Sequence, residues 1–202
     1  LQGDWSSDVC SSDLRRLMSL ALPAEPPELR SAVRPSVRAY IGLGANLGDA
    51  LGALRAAAAR IAQAGDGSAV LTSSVWRSAP VEASGPDFLN AVIGIDTRLE
   101  PLALLQALHA IEAEHGRARP FRNAPRTLDL DVLLYGEQTL HLPGLDIPHP
   151  RMHLRRFVLA PLCEIAPDAR VPGQGSARAL LATVAQQDCT PTDHALLLTT
   201  TI

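Results

Sequence analysis

Pro125-Arg126-Thr127-Leu128-Asp129-Leu130-Asp131-Val132-Leu133-Leu134 is the stretch on which the fold turns. On a β-strand successive side chains point to opposite faces. Alternation therefore sends Leu128, Leu130, Val132 and Leu134 one way, into a core under helices, and sends Asp129 and Asp131 together the other way. One apolar and one polar face is the signature of an antiparallel sheet packed on one side only.

Working outward, the neighbouring segments supply the rest of such a sheet. Upstream, Arg38–Gly44 reads as a strand ending in glycines. Asp49 caps a helix whose Leu51, Leu54, Ala58 and Ile61 share a face, and Gly65 stops it. Val70–Arg77 and Phe88–Thr97 read as strands. Pro101 then opens a helix with Leu102, Leu105, Leu108 and Ile111 inward, ended by Gly116. With Leu128–Tyr135 the order is strand, helix, strand, strand, helix, strand. That is the α+β, ferredoxin-like arrangement, an antiparallel sheet with helices on one face. C-terminal helical additions follow near 155–166 and 176–187, after a proline-bounded loop at 143–150.

The 202 residues suffice for one domain, and 47% hydrophobic with 19% charged residues describes an ordinary globular chain. The expected division is a lead-in over 1–36, a folded domain over 37–187 and a threonine-rich tail over 188–202. The repetitive residues 1–14 read as translated adapter sequence, with Met18 the candidate start and four prolines in 23–36. A net charge of −3 gives no general attraction to nucleic acid or anionic membrane. All eighteen basic residues are arginine, which excludes lysine-dependent phosphate loops and the protein-kinase set. Cys10, Cys163 and Cys189 are too few and too scattered for a disulfide framework or zinc site, and Cys163 sits in an apolar run as a core residue. No apolar stretch is long enough to span a membrane, so the expected location is cytoplasmic.

Two carboxylates about 6 Å apart repel by about 2–3 kcal/mol at an effective dielectric near 20. A cation between Asp129 and Asp131 turns that repulsion into a binding site, and hard oxygen ligands favour magnesium. An isolated Asp-x-Asp is ordinarily just a solvated polar face. Here Arg117, Arg119, Arg122 and Arg126 crowd the approach, which suits a polyphosphate carried with its metal. For Arg122 alone, ordinary surface ion pairing serves as well. His149 and His153 have helical metal spacing, but the flanking prolines oppose a helix. His149 and Arg155 are better read as donors to phosphate or ribose oxygens. Gly42-Leu-Gly44-Ala-Asn46-Leu-Gly48 is a poor dinucleotide fingerprint, with its third glycine one place late.

Tyr40-Ile-Gly-Leu-Gly-Ala-Asn46-Leu-Gly-Asp, Phe88-Leu-Asn90-Ala, Pro125-Arg126-Thr-Leu-Asp129-Leu-Asp131 and Pro148-His149-Pro-Arg-Met together resemble the hydroxymethyldihydropterin pyrophosphokinases over about residues 38–187. The resemblance implies transfer of pyrophosphate from ATP to 6-hydroxymethyl-7,8-dihydropterin in folate biosynthesis, giving AMP. It implies that Asp129 and Asp131 bind two magnesium ions and that Arg117 and Arg126 offset phosphate charge. Glu112, Arg119, His149 and Arg155 fall on the ATP side. Ser78, Ala79, Val81, Phe88, Asn90, Asn123 and Phe157 fall on the pterin side, with Asn123 where the family often carries tryptophan. Loops around 83–86 and 116–125 are expected to close over the substrates. The expected partners are these small molecules, with neither nucleic acid nor membrane, and the protein is expected to be a monomer.

Two rivals share parts of this pattern. An RNA-recognition-like binding module uses the same element order, but needs exposed aromatics, and this chain has 3%. An Asp-x-Asp nucleotide-sugar transferase would need a longer chain with an extended nucleotide-binding sheet.

Overall fold

The computed structural model describes residues 34–66, 70–80, 85–115 and 127–196. The chain divides into two units, 1–34 and Pro35–Ile202, and the architecture is that of the second.

Strand β1 (Val37–Ala45) leads into helix α1 (Ala50–Gln63). The side chain of Asp49 accepts the N–H of Gly52 at 2.9 Å, the expected cap. Leu54, Ala57, Ala58 and Ile61 are buried, while Leu51 lies half-buried at the margin of that face. The strand expected over Val70–Arg77 is two, β2 (Leu71–Thr72) and β3 (Ser74–Ser78). The break falls at Ser73, whose hydroxyl accepts the N–H of Val92 at 2.9 Å and donates to the C=O of Ser74 at 2.8 Å. A side chain here stands in for a ladder group.

Strand β4 (Phe88–Thr97) is as expected, and Pro101 opens α2 (Pro101–Glu114). Its buried stripe is Pro101, Leu104, Leu108, Ile111 and Glu112. Leu102, expected inward, is 41% exposed, because the i, i+3, i+4 stripe passes through Leu104 instead. Strand β5 (Asp129–Tyr135) completes the central elements. Hairpin strands β6 (Leu140–Leu142) and β7 (Leu145–Ile147) follow, where the sequence suggested only a loop from residue 143 onward. After them come α3 (Arg156–Ile165), the short pair β8 (Arg170–Val171) and β9 (Gly175–Ser176), and α4 (Ala177–Thr183).

Residues read as a tail contain β10 (Cys189–Ala195), which pairs antiparallel with β3. The sheet order is β10-β3-β4-β1-β5, with β2 also on β4. Pro191 is acceptable in β10 because this strand lies at the end of that order, where a missing N–H breaks no outer ladder. Helices α1 and α2 close one face over Ile41, Leu43, Ile93, Leu130 and Val132. Part of the other face is closed by α3 and α4 over Val92, Leu133, Leu134 and Met152.

Leu134 corrects the alternation read from sequence. The β1–β5 pairing runs Ile41 with Val132 and then Tyr40 with Leu134, leaving Leu133 as an extra residue. This bulge turns Leu133 and Leu134 both into the second cluster and returns Tyr135 to the first.

Candidate active site

Strand β5 is the other end of the sheet order, so its outer backbone groups need partners from elsewhere. Two of those partners are residues read from the sequence as site residues. The side chain of Glu112, at the end of α2, accepts the N–H of Leu130 at 2.9 Å, and the N–H of His149 donates to the C=O of Leu133 at 3.0 Å. Leu130 lies between Asp129 and Asp131, so Glu112 fixes the backbone that aims both carboxylates. Glu112 is itself fully buried. The carboxylate expected on the ATP side thus has one oxygen bonded to the backbone of β5.

Asp129 and Asp131 are partly exposed on the face away from α1 and α2. The register places Gly44 opposite Asp129 on one side and Asn90 on the other, and Trp76 opposite Asn90. Asp129 and Asn90 therefore occupy one row, two strand spacings or about 10 Å apart, with no side chain between them. A Cβ on Gly44 would lie 3.6 Å from Asn90 Oδ1, and one on Gly42 would lie 3.3 Å from Leu133 Cδ2. These glycines form the floor between the two ends of the site. From sequence these glycines end a strand and belong to a family motif, with no place in the site. The signal was the strand alternation, which puts both on the carboxylate face.

At the far end of the row Asn90 is buried, and its amide nitrogen donates to Ser78 Oγ at 3.0 Å. Ser78 is buried, Ala79 is exposed, and Phe88, opposite Ser78 in the register, is half-buried. Asn46, another residue given no role from sequence, donates to the C=O of Pro86 at 3.1 Å and ties the β1–α1 turn to the lead-in of β4.

At the near end His149 Nε2 lies 3.9 Å from Asp131 Oδ2. His149 Nδ1 accepts the N–H of Arg151 at 3.2 Å, so in the neutral ring Nε2 carries the proton and faces the carboxylate. Burial pushes the imidazole pKa below its usual value; Asp131 opposes the shift, while Arg155 and Arg151 add to it. Carboxylates and cations thus converge on one neutral ring. The Arg155 guanidinium lies 5.5 Å from the centroid of the Phe157 ring on the first turn of α3. Arg117, Arg119, Arg122, Arg126, Asn123 and Val81, with the loops at 83–84 and 116–125, lie outside the described residues.

Among the described residues no three His, Cys, Asp or Glu side chains form a metal cage. The donors on offer are the two carboxylates on adjacent same-face positions of β5. That set fits magnesium, which commonly takes one or two carboxylates and fills its octahedron with water and substrate phosphate oxygens.

Fold and site define a class: a ferredoxin-like α+β enzyme domain whose open sheet face pairs two carboxylates with a buried polar pocket. The profile of the 7,8-dihydro-6-hydroxymethylpterin-pyrophosphokinase (HPPK) family matches residues 40–167, and the chain belongs to that family. It is 47% identical over 136 residues to 2-amino-4-hydroxy-6-hydroxymethyldihydropteridine pyrophosphokinase of Pseudomonas aeruginosa, covering 67% of this chain and 84% of that one. The Haemophilus influenzae enzyme of the same name is 47% identical over 137 residues, covering 67% and 86%. Among solved structures, wild-type HPPK-DHPS of Plasmodium falciparum matches with a TM-score of 0.59 at 14% identity. That match covers 73% of this chain and 43% of the longer one, so this chain corresponds to less than half of it and the likeness is one of fold.

Proposed function

We propose that this chain transfers the terminal pyrophosphoryl group of ATP to 6-hydroxymethyl-7,8-dihydropterin, releasing AMP, in folate biosynthesis. The observation that carries the proposal is the row Asp129–Gly44–Asn90, which sets a carboxylate pair and a buried amide on one face across a glycine floor, in a chain of this family. The catalytic domain in this reading takes in 37–187 together with β10, and the protein acts as a cytoplasmic monomer on small molecules.

Asn90, held by Ser78, meets the polar edge of the pterin, with Phe157 on one of its faces, Phe88 packed beside Asn90, and Ala79, Val81 and Asn123 around it. Asp129 and Asp131 would hold magnesium, two ions in this reading, which supply charge neutralisation on the phosphates when bound. Arg117 and Arg126 contact the transferring phosphates; Arg119 and Arg155 hold the nucleotide. His149, neutral and with its proton on Nε2, donates to a phosphate oxygen without adding charge. The pterin hydroxymethyl oxygen bonds to the β-phosphorus, the α–β bridging bond breaks, AMP leaves with the bridging oxygen, and the hydroxyl proton is lost to solvent. Positioning and charge neutralisation are what such a transfer asks of the protein. ATP labelled in both its β- and γ-phosphates tests the reading: both labels should move together to the pterin. Movement of the γ-label alone would reduce the chemistry to simple phosphoryl transfer.

A further inference from the structure

Gln187 lies beyond the last helix and belongs to none of the motifs above. Its carboxamide brackets a single residue. Oε1 accepts the N–H of Arg156 at 2.8 Å and Nε2 donates to the C=O of Leu154 at 2.8 Å. The bracketed residue is Arg155, whose φ of −126° and ψ of 108° are extended. In an extended residue the preceding C=O and the following N–H point the same way, so one amide meets both as a neighbouring strand would.

The first of these bonds has an ordinary purpose. Arg156 is the first residue of α3, and the N–H groups of a helix start lack partners within the helix. Arg155, at the cap position, makes no side-chain capping bond, so Gln187 caps the helix from 31 residues away. The turn carrying Gln187 is fixed in its own right. Gln187 N–H donates to the C=O of Val184 at 3.1 Å, and the Arg156 guanidinium donates to the C=O of Ala185. The second bond, to Leu154, is not needed by the helix. Its effect is to set the backbone on both sides of Arg155, whose guanidinium lies against the Phe157 ring.

We propose that Gln187 is a positioning residue for the reaction, holding Arg155 and Phe157 in the relative placement in which one serves the nucleotide and the other the pterin. This rests on the roles given to those two side chains under the proposed function. Q187E separates capping from positioning: the carboxylate still accepts the Arg156 N–H, and suits a helix N-terminus, but cannot donate to Leu154.

The test measures kcat, KM for ATP and for the pterin, and melting temperature in Q187E, Q187L, R155A and Q187E/R155A. Q187E should melt close to the wild type yet raise KM for ATP about tenfold, the scale of one hydrogen bond. Q187L should do the same and also melt lower. The double variant should be no worse than R155A alone, as expected if Gln187 acts through Arg155. Wild-type KM values in Q187E, beside a raised KM for ATP in R155A, would overturn the proposal and leave Gln187 a helix cap. An unchanged KM for ATP in R155A would locate the failure in the role given to Arg155 and would overturn the positioning claim with it.

Discussion

The two faces of one sheet are built to different rules. The face under α1 and α2 is closed by aliphatic side chains such as Ile41, Ile93, Leu104, Leu108 and Val132, nearly all without exposed surface. The opposite face is divided: α3 and α4 cover the half around Val92, Leu133 and Leu134, while Asp129, Asp131, Gly44 and Asn90 occupy the rest. The first face holds the fold together by burial. The second holds two partly exposed carboxylates beside a histidine, groups that contribute little to the fold by burial.

That contrast can be broken at either face. The largest effect belongs to the open one: Asp129→Ala and Asp131→Ala should each lower turnover by about 10³-fold or more, about 4 kcal/mol of barrier. Melting temperature should hardly change, since removing one of two like charges relieves repulsion. Wild-type turnover with normal magnesium dependence would remove the metal-ligand assignment. The closed face should behave in reverse. Leu108→Ala should cost about 2–5 kcal/mol in denaturant unfolding and leave kcat per folded molecule near wild type.

Smaller effects sharpen the boundary between the faces. Gly44→Val would push side-chain atoms toward Asn90 Oδ1 and should raise the pterin KM about tenfold, about 1.4 kcal/mol. Gly44→Ala, whose Cβ meets ordinary contact distance, should do much less. The smallest effect is at the sheet's far edge. Burial raises the Cys189 thiol from 9.0 to about 11. The folded state therefore favours the protonated form, so this contribution to stability is complete below pH 9 and is lost as pH rises through about 11. Alkylation of Cys189 should stay slow at pH 8, and wild type should lose stability relative to Cys189→Ala between pH 9 and 11.

Legibility in the sequence followed the same division. Strand β4, the Asp49 cap and Pro101 at the start of α2 were readable because alternation, capping chemistry and a fixed φ are local signals. Leu134 and Leu102 were misplaced for want of non-local information: a bulge against β1 and the packing stripe of α2 decide them. Strand β10 was missed because Cys189-Thr-Pro-Thr-Asp-His-Ala195 is mostly polar, as an exposed edge strand can be. At the site, Asp129 and Asp131 announced themselves through one strand's alternation. The bond of Glu112 to the N–H of Leu130 was not legible, because only the packed structure brings the end of α2 against the outer edge of β5.

The most direct measurement is AMP release from ATP by the wild-type protein as hydroxymethyldihydropterin is added, with and without magnesium. AMP that rises with the pterin and vanishes without the metal is the predicted result. A folded protein that binds magnesium-ATP but releases no AMP at any pterin concentration would contradict the account.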